Sequence, residues 1–231
     1  MKNEMRSLPS SLSEAHAAFL FDMDGTLLNS IAVVERVWRE WAVDNGIEPT
    51  AFLQRIHGLR AIEVVRREAV PGLDVVEQAA ILLQREMDDV DGIIKIPGVA
   101  SFLSKIPEGR WAIVTSAPRP LAVLRLAAAG IVPPEIMICG EDVENGKPDP
   151  EGYLKAAKLL GVDPKQCVVF EDAPAGISAG ERMGANVVVI SATYSHPIET
   201  DHLAIDSYDE LDITVTETGA LRLDRANVTA R

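Results

Sequence analysis

From residue 96 onward, the sequence alternates between short apolar runs and amphipathic stretches, and this alternation restricts the possible folds more than any other feature. The apolar runs predict four strands, WAIVTS (111–116), EIMICG (135–140), CVVFED (167–172) and NVVVIS (186–191). The stretches between them predict helices over 118–130, 149–161 and 174–184. Strands that are apolar throughout and alternate with helices are typical of a parallel sheet covered on both faces. The sequence therefore predicts an α/β fold with a parallel sheet at its core.

Residues 31–91 interrupt this alternation, because amphipathic segments follow one another there with no strand between them. The apolar residues of IAVVERVWREWAVDNG, AIEVVRREAV and DVVEQAAILLQREMDDV recur at helical spacing. An all-helical block after the first strand predicts an insert that returns to the core near residues 91–98. We expect a core formed by residues 12–30 and 94–231 and a helical insert over residues 31–93.

The chain carries a formal net charge of −13, from 22 basic and 35 acidic residues. This surplus of negative charge repels nucleic acids and anionic membrane surfaces, so neither is expected as a partner. No window approaches eighteen apolar residues, and the polar N-terminus contains no apolar stretch of signal-peptide length. We therefore expect a soluble, cytoplasmic protein. A monomer is expected as well, although the sequence leaves the oligomeric state open.

Cysteine and histidine residues give no sign of a metal or disulfide framework. Cys139 and Cys167 lie in separate predicted strands and form no C-x-x-C pair, so both are interpreted as buried free thiols. The four histidines show no ligand spacing, and we interpret most of them as surface or structural residues. They are His16, His57, His196 and His202.

Polar side chains follow the predicted strands at their carboxyl ends, where ligands gather in an open parallel sheet. The set comprises Asp22 and Asp24 after the first strand, Thr115 and Ser116 at the end of the second, Glu171 and Asp172 at the end of a later one, and Lys147 in the loop ENGKPDP. Four carboxyl groups that face one another repel unless a cation lies among them. Hard oxygen ligands of this kind suit Mg²⁺, so the sequence predicts a magnesium site at this edge of the sheet.

The same residues suit phosphoryl transfer, in which catalysis is mainly positioning and electrostatic stabilisation. A carboxylate with an ordinary pKa of about 4 is ionised at neutral pH and can attack phosphorus, while a second carboxyl group can exchange protons. Thr115 and the backbone after it could hold phosphate oxygens, and Lys147 supplies a positive charge. Singly, these residues are also compatible with a turn, a helix cap and a solvated lysine. Their joint occurrence at strand ends favours a catalytic site.

Four motifs, DMDGT, VTS, GKPDPEGY and FEDAPAG, occur in this order over nearly the whole chain. They resemble the four motifs of the haloacid dehalogenase-like hydrolase superfamily. The resemblance implies a Rossmann-like core with Asp22 as the nucleophile and Asp24 as the general acid/base, and it implies that the helical insert is a cap. It also implies further roles: Mg²⁺ bound by Asp22, the backbone carbonyl of Asp24 and Asp172, supported by Glu171, and phosphate held by Thr115 and Lys147.

Within this superfamily, the chain is similar to the helical-cap branch and, in finer detail, to bacterial hexose- and polyol-phosphate phosphatases. The segments that carry this likeness are AVVERVWREWAVDNG, IHGLRAIEVVRRE, VTSAPRP and ITVTETGALRL. In that group, a His-Gly-x-Arg segment lies on the cap face over the substrate. The resemblance thus implies that Arg60 and His57 contact the substrate, together with Ser116. Asn29 and Ala117 depart from the residues common in relatives, which leaves the identity of the substrate open.

Together, the residues and the resemblance predict a Mg²⁺-dependent phosphomonoester hydrolase that acts on small sugar or sugar-alcohol phosphates through a phospho-aspartate. Metal-free dehalogenases of this superfamily lack the second aspartate, here Asp24, and its phosphonate hydrolases use a cap lysine, whereas no lysine lies between Asp22 and Lys95. Two alternatives stay open: a sugar-phosphate mutase of the β-phosphoglucomutase type, and a non-catalytic binding protein on the same fold. The cap is expected to move about hinges near residues 28–31 and 91–96.

Overall fold

The structure is a computed structural model that describes residues 8–194 and 199–226. His196 and the first seven residues of the polar N-terminal segment lie outside these ranges, so the interpretations made for them are not addressed below. Across the two described ranges, every helix is too short or too polar to cross a lipid bilayer.

The described residues form eleven strands and eight α-helices, with a few short 3₁₀ turns between them. In chain order the elements are β1 (Ala15–His16), β2 (Ala18–Phe21), β3 (Leu28–Asn29), α1 (Ile31–Asp44), α2 (Pro49–Leu53), α3 (Ala61–Glu68), α4 (Val75–Asp88), β4 (Ile94–Lys95), α5 (Val99–Ser104), β5 (Trp111–Val114), α6 (Arg119–Ala128), β6 (Met137–Ile138), α7 (Glu151–Leu160), β7 (Cys167–Glu171), α8 (Pro174–Met183), β8 (Asn186–Ile190), β9 (Leu203–Ile205), β10 (Leu211–Val215) and β11 (Leu221–Arg225).

Six strands form the central sheet in the order β6–β5–β2–β7–β8–β9, and every neighbouring pair is parallel. The central strand β2 is completely buried, as expected for a strand with helices on both of its faces. This sheet confirms the predicted α/β fold class. Its parallel strands bring their carboxyl ends to one edge, where the polar residues singled out in the sequence come together.

Alternate residues of the strands enter two separate hydrophobic clusters, one on each face of the sheet. On one face, Phe19, Phe21 and Phe170 pack with Phe102 of α5 and with apolar side chains of α6. On the other face, Leu20 and its neighbours pack against helices α7 and α8. Each strand residue that points to one face therefore has helical neighbours to bury it, which explains why the strand segments are apolar throughout.

Helices α1 to α4 follow one another along the chain and share a third hydrophobic cluster. Trp38, Trp41 and Phe52 lie at its centre, with ring centroids 5.7–5.8 Å apart, so the two tryptophans pack helices together as interpreted from the sequence. The chain enters these helices through β3 and leaves them near β4, and the two strands pair with each other. The division of the chain at residues 31 and 93 stays a prediction, which is taken up with the proposed function.

Two parts of the fold differ from the simple alternation in the sequence. The strand expected over residues 135–140 shortens to β6, which lies at the edge of the sheet and pairs only with β5. A sixth strand, β9, extends the other edge, although its three residues carry too little pattern to predict a strand. Strands β10 and β11 form an antiparallel hairpin, and β11 also pairs with the two-residue strand β1.

Candidate active site

The predicted site residues lie at the carboxyl edge of three adjacent strands. Asp22 follows β2, Thr115 follows β5 and Asp172 follows β7, and all three residues are buried. The sheet ladder continues past β2 and β5, because the Asp22 amide donates to the Phe170 carbonyl at 3.0 Å and the Thr115 amide donates to the Ile138 carbonyl at 2.9 Å. The backbone that presents these side chains is therefore held by the same hydrogen bonds that hold the sheet.

Lys147 reaches this edge from the loop before α7, and its ammonium group is buried between two carboxylates. Its Nζ donates to Oδ1 of Asp22 at 2.5 Å and to Oε1 of Glu171 at 2.6 Å. Burial alone would lower the pKa of Lys147, but the charges of Asp22 and Glu171 outweigh this effect and raise it. Lys147 is therefore a fixed positive charge at any pH near neutrality.

Both carboxylate oxygens of Glu171 accept hydrogen bonds from other groups of the protein. Besides Lys147, its Oε1 accepts from the hydroxyl of Tyr153 at 2.9 Å, and its Oε2 accepts from the backbone amides of Asp172 and Ala173. The side chain has space only because residue 176 is a glycine: a Cβ there would lie 1.5 Å from Oε1 of Glu171. Glu171 therefore fixes Lys147 and the start of the loop after β7.

Asp172 presents its carboxylate toward the same point as Asp22. One ligand oxygen from each of Asp22, Glu171 and Asp172 lies within 4.8 Å of the others, and all three residues are buried. The chain passes very close to Asp172 at Gly25, where the backbone has a φ of +87° and a Cβ would lie 2.0 Å from Oδ2. Glycine is required at this position by both the conformation and the space.

The electrostatics of this cluster fit a cation. Burial, together with the charge of Glu171, raises the pKa of Asp22 to about 8, against the opposing effect of Lys147. Burial and the charges of Glu171 and Asp22 likewise raise the pKa of Asp172. A divalent ion offsets the cost of ionising two neighbouring buried carboxyl groups, because its positive charge favours their ionised forms. The donors are all hard oxygens, as Mg²⁺ prefers.

Asp24 lies two residues beyond Asp22 and points to a different set of partners. Its Oδ1 accepts from the hydroxyl of Ser30 at 2.5 Å and from Nη1 of Arg125 at 3.0 Å. Arg125 comes from α6 and is buried, whereas about a quarter of the Asp24 side chain (23 %) remains exposed. Asp24 therefore forms part of the wall of a cavity above the sheet edge.

That cavity, of about 80 Å³, lies between the carboxyl edge of the sheet and the helical insert. Asp22, Asp24 and Thr115 line its core side, and Trp38, His57 and Glu86 line the side of the insert. Burial lowers the pKa of His57, although the charges of Glu35 and Asp24 oppose the shift, so its ring is neutral at pH 7. The cavity thus joins acidic core residues to polar residues of the insert.

Thr115 and Ser116 use their hydroxyl groups differently. Thr115 Oγ1 accepts from the backbone amide of Ala117 at 3.1 Å, which orders the turn after β5. Ser116 Oγ donates to the carbonyl of Gly58 at 2.7 Å and so joins the core to the insert. Both residues line the cavity, but the hydroxyl of Ser116 is already paired with the protein.

Arg60, a residue of the His-Gly-x-Arg segment, also binds protein groups. Its guanidinium donates to the carbonyls of Gly140, Val143 and Glu144, and it forms an ion pair with Glu63 at 2.5 Å. It lies beside the loop that leads to Lys147 and is absent from the wall of the 80 Å³ cavity, whereas His57 lines that wall. In this structure, Arg60 therefore joins the insert to the core.

Sequence reasoning missed several residues that the structure brings into this region. Tyr153 was visible within GKPDPEGY but gave no local sign of its bond to Glu171. Arg125 and Glu86 sit in segments that are typical of ordinary amphipathic helices, and Ser30 precedes α1 as an inconspicuous polar residue. Each of the three lies in the cavity wall.

Comparisons with known proteins agree with this architecture and site. A family model described as haloacid dehalogenase-like hydrolase matches residues 16–184, well over half of the chain. The chain therefore belongs to the haloacid dehalogenase-like hydrolase family, and the motif resemblance is confirmed.

Two phosphatases are similar to this chain over most of its length. Hexitol phosphatase A of Escherichia coli K12 is 37 % identical over 206 residues, which cover 87 % of this chain and 95 % of that protein. The 2-deoxyglucose-6-phosphate phosphatase 2 of Saccharomyces cerevisiae is 36 % identical over 204 residues, which cover 79 % of this chain and 82 % of the relative. A crystal structure of β-phosphoglucomutase from Clostridium difficile has a TM-score of 0.72, with 85 % and 93 % of the two chains covered, but is only 23 % identical and shows the fold alone.

Proposed function

We propose that this protein is a Mg²⁺-dependent phosphatase that acts on small phosphorylated sugars or sugar alcohols through a phospho-aspartate at Asp22. The observation that carries the proposal is the buried cluster of Asp22, Asp172 and Lys147, which borders the cavity beneath the insert through Asp22. Carboxylates, a fixed ammonium and a cation site together suit the transfer of an anionic phosphoryl group. Membership in a hydrolase family and the names of the relatives support the same reaction class.

Asp22 is the proposed nucleophile. Lys147 binds its Oδ1, which orients the carboxylate and leaves Oδ2 free to attack phosphorus. The attack forms a bond between the carboxylate oxygen and phosphorus, and the bond from phosphorus to the sugar oxygen breaks. Burial raises the pKa of Asp22, so the reactive ionised form depends on the nearby positive charges.

Asp24 is the proposed general acid and base. It lines the same cavity as Asp22 and lies two residues further along the chain. In the first step, its carboxyl group would protonate the leaving sugar oxygen. In the second step, the resulting carboxylate would remove a proton from water, which hydrolyses the phospho-aspartate and restores Asp22.

Asp22, Asp172 and the backbone carbonyl of Asp24 are the proposed Mg²⁺ ligands. When bound, the ion would supply positive charge that stabilises the phosphoryl oxygens in the transition state. Glu171 is proposed to support the site by orienting Lys147, since its oxygens already accept four protein hydrogen bonds. Thr115, the backbone amides after it and Lys147 are proposed to hold the phosphate.

The substrate class rests on the relatives and on the cavity. The names of the bacterial and yeast relatives specify a hexitol phosphatase and a 2-deoxyglucose-6-phosphate phosphatase, whose substrates are small polyhydroxylated monophosphates. A cavity with both charged and apolar walls suits such a molecule. The mutase alternative has weaker support, because the likeness to the β-phosphoglucomutase of Clostridium difficile, at 23 % identity, shows the fold alone, whereas the named phosphatases are 36–37 % identical.

We also propose that residues 31–93 act as a cap that closes over the substrate. In this structure, the insert touches the core through Ser116 and Arg60, and the paired strands β3 and β4 connect the two parts. The pairing of β3 with β4 supports hinges near residues 28–31 and 91–96, because these strands lie where the chain enters and leaves the insert. Closure of the cap would exclude water before the first transfer.

The test is phosphate release from hexose, polyol, triose and nucleoside monophosphates with Mg²⁺ and with EDTA. The expected result is metal-dependent release that favours hexose or polyol phosphates. Asp22→Asn should abolish turnover and leave the fold intact, because it is isosteric and removes one charge from a crowded site. An active Asp22→Asn variant would refute the mechanism, and isomerised sugar phosphate with little free phosphate would favour a mutase.

A further inference from the structure

Two charged residues in the cavity wall, Glu86 and Arg125, belong to none of the four motifs. Glu86 lies on α4 of the insert and Arg125 on α6 of the core, and they are only 7 % and 3 % exposed. Both line the cavity that contains Asp22 and Asp24. Charged side chains are rarely buried to this extent unless they have partners.

Their hydrogen-bonding capacity is only partly used by the protein. Arg125 donates Nη1 to Asp24, but its Nε and Nη2 are buried without a hydrogen-bond partner in the described structure. The Oε1 atom of Glu86 accepts from the indole of Trp38 at 2.9 Å. Its Oε2 lies 3.4 Å from Nη2 of Arg125, in an ion-pair contact whose geometry falls short of a hydrogen bond. Two N–H donors and one acceptor oxygen are thus left without a hydrogen bond in the wall of the cavity.

The charges in this part of the wall limit which substrate groups can bind the unpaired atoms of Arg125 and Glu86. The guanidinium of Arg125 faces the acidic side chains of Asp24 and Glu86, so its positive charge is already paired within the cavity wall. A second phosphate or a carboxylate on the substrate would be repelled there. An alkyl chain would leave the buried N–H groups unpaired, which is costly. Hydroxyl groups avoid both problems, because each can accept from Arg125 and donate to Glu86.

We propose that Glu86 and Arg125 form a hydroxyl-recognition site for the uncharged, polyhydroxylated part of the substrate. This inference rests on the proposed phosphatase function and specifies which end of the substrate the enzyme distinguishes. Glu86 selects by accepting from a hydroxyl and by repelling anionic groups, and Arg125 selects by donating to a hydroxyl oxygen. Because Glu86 belongs to the insert, hydroxyl recognition and closure of the insert over the substrate involve the same contact.

The test compares three substrates of equal carbon number with Mg²⁺: a hexitol monophosphate, n-hexyl phosphate and a hexitol bisphosphate. The wild-type enzyme is expected to have the highest kcat/KM for the hexitol monophosphate. Glu86→Gln keeps the size of the side chain and an acceptor for Trp38 but loses the second carboxylate oxygen. It should reduce the preference for hexitol monophosphate over hexyl phosphate roughly tenfold or more, mainly through KM. It should also raise the relative kcat/KM for the bisphosphate.

Glu77→Gln is the matched control, because Glu77 is an exposed glutamate on the same helix and the variant loses the same charge. Thermal unfolding of both variants checks that each is folded, and Arg125→Lys provides a second, independent change in the donor geometry of the site. An unchanged substrate ratio in both Glu86→Gln and Arg125→Lys overturns the inference, as does an equal change in Glu77→Gln. If the wild-type enzyme hydrolyses none of the three phosphates, the inference fails; if hexose monophosphates release no phosphate either, the proposed function fails as well.

Discussion

The most demanding prediction concerns Gly176, a residue of the FEDAPAG motif that lies in α8 beneath Glu171. Gly176→Ala adds a Cβ that would lie 1.5 Å from Oε1 and 2.0 Å from Cδ of Glu171, so the carboxylate has to move. In its present position, this carboxylate accepts hydrogen bonds from Lys147, Tyr153 and two backbone amides. The substitution therefore disturbs the group that fixes the position of Lys147.

The expected loss of unfolding free energy follows from the hydrogen bonds that Glu171 would lose. Loss of two hydrogen bonds to a charged group costs about 3–6 kcal/mol, while replacement of glycine by alanine in a helix returns about 1 kcal/mol. The net loss of unfolding free energy is therefore about 2–5 kcal/mol. At about 2–4 °C per kcal/mol for a chain of this size, Tm should fall by about 4–20 °C.

Thermal unfolding with EDTA measures this loss, and phosphatase turnover measures the displacement of Lys147. Gly180→Ala is the matched control, because it lies on the same helix and the atoms nearest to its Cβ would belong to valine side chains, at 3.0–3.2 Å. Gly176→Ala should be far less stable and far less active than Gly180→Ala. Equal stability of the two variants would refute the reasoning, since it would mean that Glu171 moves without losing its bonds.

Two further predictions concern the charge of the site and the attachment of the insert. In EDTA, Tm should fall as the pH rises from about 4 to about 8, because burial raises the pKa of Asp22 to about 8 and also raises that of Asp172, so the folded state binds more protons than the unfolded state. The free energy of unfolding should fall by up to about 1.4 kcal/mol per pH unit for each group. This fall should be smaller with Mg²⁺ or in Asp22→Asn. A Tm that rises between about pH 4 and about pH 8 without metal would contradict the prediction. Arg60→Ala should increase hydrogen exchange of the amides in residues 140–147, because Arg60 binds three carbonyls of that loop. Unchanged exchange together with a raised KM would instead support the direct substrate contact expected from the sequence.

The sequence was sufficient to predict the fold class because the signal was repeated. Each central strand is apolar throughout, and the helices between strands have clear ends, so the parallel sheet follows from several independent segments. The short elements could not be predicted in the same way. Strand β9 has three residues and β1 has two, and their pairing depends on neighbours that are distant in the chain.

For the candidate site, the sequence predicted the residues that local position explains. Asp22, Thr115 and Asp172 lie together because parallel strands end at one edge, which a strand prediction already implies. Tyr153, Glu86 and Arg125 depend on contacts that no local pattern encodes: Trp38 and Glu86 are 48 positions apart, and Asp24 and Arg125 are 101 positions apart. Such residues look like ordinary members of amphipathic helices until the tertiary structure is known.

Arg60 illustrates a different limit. The motif around it implied a surface that meets the substrate, whereas its guanidinium is occupied here by the loop of residues 140–144. Its role in substrate binding stays a prediction. Its contacts in this structure connect the insert to the segment that carries Lys147.

The pairing of β3 with β4 has a consequence for how this architecture can change. The chain leaves the core at Leu28–Asn29 and returns at Ile94–Lys95, and these two crossings are hydrogen-bonded side by side. Because the ends of the insert are already adjacent, helices of another length or number can replace it at little entropic cost of loop closure. The core can therefore keep one set of reacting groups while the segment above it diversifies. A change of the insert alone can then change which molecules fit the cavity, while the residues at the carboxyl edge of the sheet stay the same.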